Sequence, residues 1–258
     1  MWDKELKAAI EVGLKAKEKI MEIYNAGFDV EIKDDNSPVT LADKTADKMI
    51  REYLSKLFPS YAFLTEESED DFKRQENDYV WIVDPVDGTK DFVAKDNEFT
   101  TNIALAYKHE IVVGVVIIPA SDEYYYAIKN QGAFKVKNNK VTRIHVNDKL
   151  DNLTVLSSRF HTCSNEKEVI ERHKDKIKSV AHFGSSIKAC KIASGMAEIS
   201  YRLSSGTKEW DTAAIQIIVE EAGGVFVKPN GERMTYNRED VYNREGYIIA
   251  NRIENILL

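Results

Sequence analysis

Apolar residues recur at helical spacing near the start of the chain: Leu6, Ile10, Leu14 and Met21, with Trp2 upstream. This spacing predicts an amphipathic helix over 3–26, stopped at Gly27. "KDDNSPVT" (33–40) has turn chemistry. Ala42, Ala46, Met49, Ile50, Tyr53 and Leu57 then share one face of a second helix, which Pro59 ends.

The period changes after that. "YAFLT" (61–65) and "YVWIV" (79–83) flank an acidic segment and read as strands. "FTTNIALAY", "IVVGVVII" and "YYYAI" continue as consecutive strands, with "KHE" as a tight connection. Helices followed by a mostly antiparallel sheet predict an α+β half. Beyond "NNKVTRIHVND" the elements alternate: strand 153–158, helix 164–173, strand 179–183, helix 185–197, strand 198–203 and helix 210–222. Gly223-Gly224 stops the last helix, and strands 225–227 and 247–251 close the chain. The alternation predicts a layered α/β half. A boundary near Val146 gives an N-terminal half over 1–145 and a C-terminal half over 146–258. No Pro/Gly-rich linker marks it, so the two halves are expected to pack intimately.

Composition narrows the class. Of 258 residues, 43% are hydrophobic and 31% charged, a globular composition that can bury a sizeable core. A net charge of −7 argues against a nucleic-acid coat. It does not exclude a small anionic substrate, because bound cations reverse the local field. Cys163 and Cys190 form no C-x-x-C pair and cannot build a disulfide framework, so reduced thiols in a cytoplasmic protein are the expectation. The N-terminus has no secretory apolar region, and no run reaches the roughly 18 apolar residues of a membrane span.

The chemistry concentrates in "WIVDPVDGTKDF" (81–92). An apolar strand runs into two aspartates, Asp84 and Asp87. Two ionised carboxylates about 4 Å apart repel by roughly 4 kcal/mol at an effective dielectric near 20. A divalent cation removes that penalty, and the spacing leaves the Val86 carbonyl free to point into the same site. Turn residues are the plain alternative, since Asp-Pro and Asp-Gly are common turn pairs. "TEES" places Glu66 and Glu67 after another strand, as metal ligands or as a solvated loop. "EWDTAA" places Asp211 at a helix start, as a ligand or an N-cap. Asp43 in "SPVTLAD" fits a capping box with Thr40. Gly88 and Thr89 offer backbone N–H groups to a phosphate oxygen, and Thr89 offers a hydroxyl to a water. His109, His145, His161, His173 and His182 lie in unrelated local contexts and read as solvated or structural.

"SPVTLAD", "TEES", "DPVDGT" and "WDTAA…EAGG", in that order, resemble the inositol monophosphatase superfamily of Mg²⁺-dependent, lithium-sensitive phosphatases. The resemblance spans roughly 33–251. "NSPVT", "DGTKDF" followed by "EFTTNIAL", and "GSSIKACKIASGMAE" resemble its CysQ-like 3'(2'),5'-bisphosphate nucleotidase branch. The resemblance implies a layered α-β-α-β-α sandwich, the sugar-phosphatase fold, and two or three Mg²⁺ ions. It implies Glu66, Asp84, Asp87, Asp211 and the Val86 carbonyl as metal ligands, with Glu67 as a secondary acid. Asp43 and Thr89 match the pair that activates the nucleophilic water, and Gly88 and Thr89 match the hold on the scissile phosphate. Ser185, Lys188 and Arg202 match residues that bind the nucleotide and its second phosphate. "SSGTKEWD" departs from the loops expected before the W-D pair.

The implied substrate is adenosine 3',5'-bisphosphate, hydrolysed by a monomer or homodimer without nucleic-acid or membrane partners. An inositol monophosphatase or broad sugar phosphatase is the nearest rival. A haloacid-dehalogenase mechanism needs D-x-D-x-T, whereas this chain has D-x-x-D-G-T. A regulatory binding protein on a phosphatase fold is the rival from another class, and the intact acidic set argues against it.

Overall fold

The structure, a computed structural model, describes residues 1–33, 38–70 and 72–258. Residues 34–37 of the expected turn lie outside these.

The chain opens with two helices separated by two short strands: α1 (Asp3–Ala26), β1 (Val30–Ile32), β2 (Pro38–Thr40) and α2 (Leu41–Leu57). β1 and β2 pair antiparallel as a small ribbon that the sequence reading missed. Both helices appear where the apolar spacing puts them. Thr40 and Asp43 form the expected capping box at the start of α2.

A seven-stranded sheet follows: β3 (Ala62–Thr65), β4 (Tyr79–Asp87), β5 (Thr100–Tyr107), β6 (Glu110–Ile118), β7 (Glu123–Ile128), β8 (Gly132–Lys137) and β9 (Lys140–Ile144). Its strands run in chain order, with the short helix α3 (Thr89–Ala94) between β4 and β5. Only the β3–β4 pair among these is parallel. Lys140–Arg143 of the edge strand β9 are exposed, so β9 carries little apolar pattern, and β8 buries only Gly132, Ala133 and Val136; both strands escaped the sequence reading.

The remaining elements are β10 (Leu153–Ser158), α4 (Ser164–Arg172), β11 (Ile177–Phe183), α5 (Ile187–Ala193), β12 (Ile199–Arg202), α6 (Glu209–Glu221), β13 (Val225–Val227) and β14 (Tyr247–Ala250). The five strands make one sheet in the order β11-β10-β12-β14-β13. The expected helix over 185–197 is shorter, Ile187–Ala193: Ser185 takes a left-handed φ of 47°, and Ser186 stands at the N-cap position with its hydroxyl given to Asp87.

Strand alternation sets the layers. Trp81 and Val83 of β4 pack toward α1 and α2, with Ala9, Val12, Ile20, Ile50 and Leu54. Val80 and Ile82 face the other way, into a core shared with α5, α6, Phe226 and Ile249. On the far side of the five-stranded sheet, Val155, Ile199 and Ile248 pack with Val169 of α4. The result is an α-β-α-β-α sandwich. α6 crosses the long sheet so closely that a Cβ on Gly114 would lie 2.6 Å from the Ala214 carbonyl oxygen. Only glycine admits that approach. Among the described residues no helix is long and apolar enough to cross a membrane.

Candidate active site

The site begins as an irregularity in a ladder. β4 pairs Asp84 with Asn102 and Asp87 with Thr100, so three steps along β4 oppose two along β5. The extra residue bulges the strand at Pro85-Val86 and turns both aspartates toward one cavity. The Pro85 carbonyl accepts the Thr101 hydroxyl at 2.8 Å, and the Val86 carbonyl accepts the Thr89 hydroxyl at 3.2 Å. Gly88 then takes a φ of 89°, which releases the chain into α3.

Carboxylate oxygens of Asp84, Asp87 and Asp211 lie within 4.8 Å of one another. Asp84 is buried, and its Oδ1 has no hydrogen-bond partner among the described residues. Burial, then Glu66, Asp87 and Asp211, pushes the Asp84 carboxyl well above the usual carboxylate range. Asp211 is pushed up to about 7 by burial, then by Asp87 and Glu66. Asp211 is the third residue of α6 and accepts the Lys208 backbone N–H at 2.5 Å, so it is not itself the N-cap. An acidic trio with one fully buried member and an orphaned oxygen, its other two members half-buried, fits a divalent cation with hard oxygen ligands.

The other predicted residues gather around the trio. Glu66 lines the same cavity, and Lys33 Nζ lies 3.3 Å from its Oε1 while also bonding Glu67. Asp43 is buried in α2. Its Oδ2 accepts the Thr40 N–H at 2.8 Å and the Thr40 hydroxyl at 2.6 Å. Its Oδ1 faces the Thr89 hydroxyl at 3.2 Å. Burial raises the Asp43 carboxyl above its ordinary value.

Gly88, Thr89, Ser185, Lys188 and Arg202 line the cavity as well, which is about 210 Å³. The Ser185 hydroxyl is buried without a partner among the described residues. Lys188 donates to the carbonyls of Ser185 (2.7 Å) and Phe183 (3.2 Å), and burial lowers its pKa. Arg202 donates from Nη1 to the His161 carbonyl at 2.7 Å.

Sequence reasoning missed several participants. Ser186 holds Asp87 Oδ2 through its N–H (2.8 Å) and its hydroxyl (2.6 Å). Thr100 and Asn102 reach the same oxygen at 3.1 Å each. Pairing "FTTN" against "DPVD" in a hairpin register is the signal that would have found them. His161, which its local sequence marks as solvated or structural, lines the cavity, with Lys90 Nζ 3.1 Å from its Nε2. No local pattern around His161 marks that placement.

The model of the inositol monophosphatase family matches residues 1–257 of this chain. The 3'(2'),5'-bisphosphate nucleotidase CysQ of Salmonella typhimurium is 34% identical over 248 residues, 95% of this chain and 99% of that protein. The CysQ nucleotidase of Buchnera aphidicola is 34% identical over 243 residues, 92% of this chain and 89% of that protein. The crystal structure of CysQ from Bacteroides thetaiotaomicron superposes with a TM-score of 0.85 at 34% identity, covering 97% of this chain and 98% of that one.

Proposed function

Since this chain belongs to the inositol monophosphatase family of phosphatases, we propose that it removes the 3'-phosphate of adenosine 3',5'-bisphosphate, giving adenosine 5'-phosphate and inorganic phosphate. The observation that carries this reading is one cavity with two chemistries: an acidic trio at Asp84, Asp87 and Asp211, and the cations Lys188 and Arg202 in the same lining. A monophosphate needs only the first. The second suits a phosphate that is held and not cleaved.

Asp84, Asp87, Asp211, Glu66 and the Val86 carbonyl would hold Mg²⁺, as two or three ions. When bound, the metal neutralises phosphate charge and acidifies a coordinated water. The protein groups do the rest. With Asp43 Oδ2 occupied by Thr40, Oδ1 is the oxygen left to take a proton through the Thr89 hydroxyl. The raised pKa of Asp43 makes it a better base. Water attacks phosphorus and its proton moves toward Thr89 and Asp43; the P–O3' bond breaks, the 3'-oxygen takes a proton from a second water, and Asp43 returns its proton to the hydroxide left behind. Gly88 and Thr89 steady the phosphate, Ser185 and Arg202 hold the 5'-phosphate, and Lys188 braces the Ser185 loop through the Ser185 and Phe183 carbonyls.

Phosphate release from a panel tests the assignment: adenosine 3',5'-bisphosphate, inositol 1-phosphate, fructose 1,6-bisphosphate and adenosine 5'-phosphate. The bisphosphate nucleotide is expected to lead in kcat/KM. A preference for inositol 1-phosphate would transfer the assignment to an inositol monophosphatase. Lithium is expected to inhibit, as the family likeness implies.

A further inference from the structure

A buried polar strap runs behind the acidic site. Arg74 is only 2% exposed. It follows Glu66 and Glu67 on the chain and donates to Asp70 from Nε (3.0 Å) and Nη2 (2.7 Å). Its Nη1 reaches Asn237 Oδ1 at 2.8 Å and its Nη2 reaches the Arg238 carbonyl at 2.9 Å. Asn237 answers with Nδ2 on the Arg74 carbonyl at 3.0 Å. The same two residues then grip α6. The N–H of Asn237 donates to Glu209 Oε2 at 2.7 Å, and the N–H and Nε of Arg238 donate to Glu209 Oε1 at 2.9 and 3.0 Å. Glu209 is fully buried at the first position of α6, two residues before Asp211. Asn243 closes the strap, since its Nδ2 donates to the Lys208 carbonyl at 2.8 Å while the Lys208 N–H holds Asp211.

Arg74, Asn237 and Glu209 do not line the cavity, and nothing in the chemistry above uses them. What they fix is the first turn of α6 relative to the segment that follows Glu66. One end of the strap is chained to Glu66 and the other to Asp211. Full burial of two charged side chains is costly unless they are well paired, and here every nitrogen of the Arg74 guanidinium and both oxygens of Glu209 have a partner. We propose that Arg74 and Glu209 are positioning residues for the metal site. The strap sets the separation of the Glu66 and Asp211 carboxylates, which come from opposite halves of the chain. Hydrogen-bonding partners behind metal ligands typically change metal affinity by 10–100-fold when altered.

The proposal rests on the metal reading of the acidic site, and the experiment separates the two. Mg²⁺ is titrated into the full metal-free chain, and binding is followed by calorimetry and by the rise in Tm, with no substrate present. Glu209→Gln keeps the shape but turns an amide N–H₂ toward an N–H donor. Asp70→Asn does the same to Arg74 from a partly exposed position, and it decides the matter alone if the first variant does not fold. Both are expected to weaken Mg²⁺ binding by about tenfold. Leu257→Ala, in the small core with Val155 and Ile248, is the control: it lowers Tm and leaves the Mg²⁺ midpoint in place. Midpoints within twofold of the parent in the strap variants, with only Tm lowered, would overturn the proposal and leave the strap a purely structural device. Equal midpoint shifts in the control would overturn it too. A parent chain with no Mg²⁺ response overturns the metal reading, and the strap's role with it.

Discussion

Ser186 binds Asp87 Oδ2 twice, with its backbone N–H at 2.8 Å and its hydroxyl at 2.6 Å. The contact crosses the chain from the start of α5 to the end of β4. It leaves the other Asp87 oxygen for the cavity and ties the loop bearing Ser185 to the acidic trio. Ser186→Ala removes the hydroxyl donor and also one of the two acceptors of Asn102 Nδ2, which donates to that hydroxyl at 2.9 Å and keeps its bond to Asp87. A hydrogen bond to a charged group is worth about 1.5–3 kcal/mol. Urea unfolding of the metal-free variant should show a loss of that order. Turnover should fall about tenfold, the scale of change expected behind a metal ligand. A variant with parental turnover would mean that Thr100 and Asn102 orient Asp87 without help.

Asp84→Asn should move stability and metal response in opposite directions. In the metal-free chain Asp84 is a buried carboxylate with an orphaned oxygen among like charges. A neutral amide of the same shape relieves that repulsion. Without metal, the variant should melt at or above the parent temperature. Mg²⁺ should then raise the Tm of the parent and leave the variant nearly unmoved. Calorimetric melts with EDTA and with excess Mg²⁺ decide it. A variant less stable than the parent in EDTA, or one that keeps the full Mg²⁺ gain, would remove Asp84 from the ligand set.

The acidic site was legible because its residues are short-range signals. Asp84 and Asp87 end a strongly apolar strand, and Glu66, Asp43 and Asp211 sit at element ends marked by caps and turns. Even the competing readings were informative: Asp43 is both the capping-box acid of α2 and the neighbour of Thr89. What escaped was set by long-range packing. Ser186 is aimed by the left-handed Ser185 before it, and His161 enters the cavity because Arg202 holds its carbonyl. β8 and β9 escaped for another reason. The edge strand β9 has little buried surface and so little apolar pattern to read, and β8 buries only Gly132, Ala133 and Val136, two of them too small to mark a strand.

His161 makes stability depend on pH. Partial desolvation of its ring, then Arg202, Lys90 and Lys188, depress its pKa from 6.5 to about 4, against a small opposing pull from Asp87. A depressed folded-state pKa means that the folded chain resists protonation more than the unfolded chain does. The stability tied to neutral His161 is therefore complete above the unfolded value of 6.5 and is lost as pH falls through about 4. His161→Gln should flatten this part of the profile, modestly, because the residue is partly in solvent. Urea midpoints at pH 7.5 and 4.5 provide the check. Identical pH dependence in parent and variant would show that the cations around the ring do not set its charge.

The two cations of the cavity should separate by substrate. Arg202 has an N–H (Nε) that is buried without a partner among the described residues, and its Nη1 is held only on the rim carbonyl of His161. It can turn its donors to a second phosphate at small cost. Lys188 is differently placed, since its ammonium already bonds the carbonyls of Ser185 and Phe183 and so braces the loop that carries Ser186 onto Asp87. Arg202→Ala should therefore cost about tenfold to a hundredfold in kcat/KM on adenosine 3',5'-bisphosphate, the worth of one charge-assisted contact of about 1.5–3 kcal/mol. It should cost far less on adenosine 3'-phosphate, which has the same leaving group and no second phosphate. Lys188→Ala should lower kcat/KM on both substrates, because loosening the loop disturbs Asp87 whichever ligand is bound. Steady-state kinetics of the two variants on the two substrates make the comparison. Equal losses from Arg202→Ala on both substrates would place Arg202 in the framework and leave the second phosphate without its principal ligand. A bisphosphate-selective loss from Lys188→Ala would show that its ammonium leaves the two carbonyls to bind substrate.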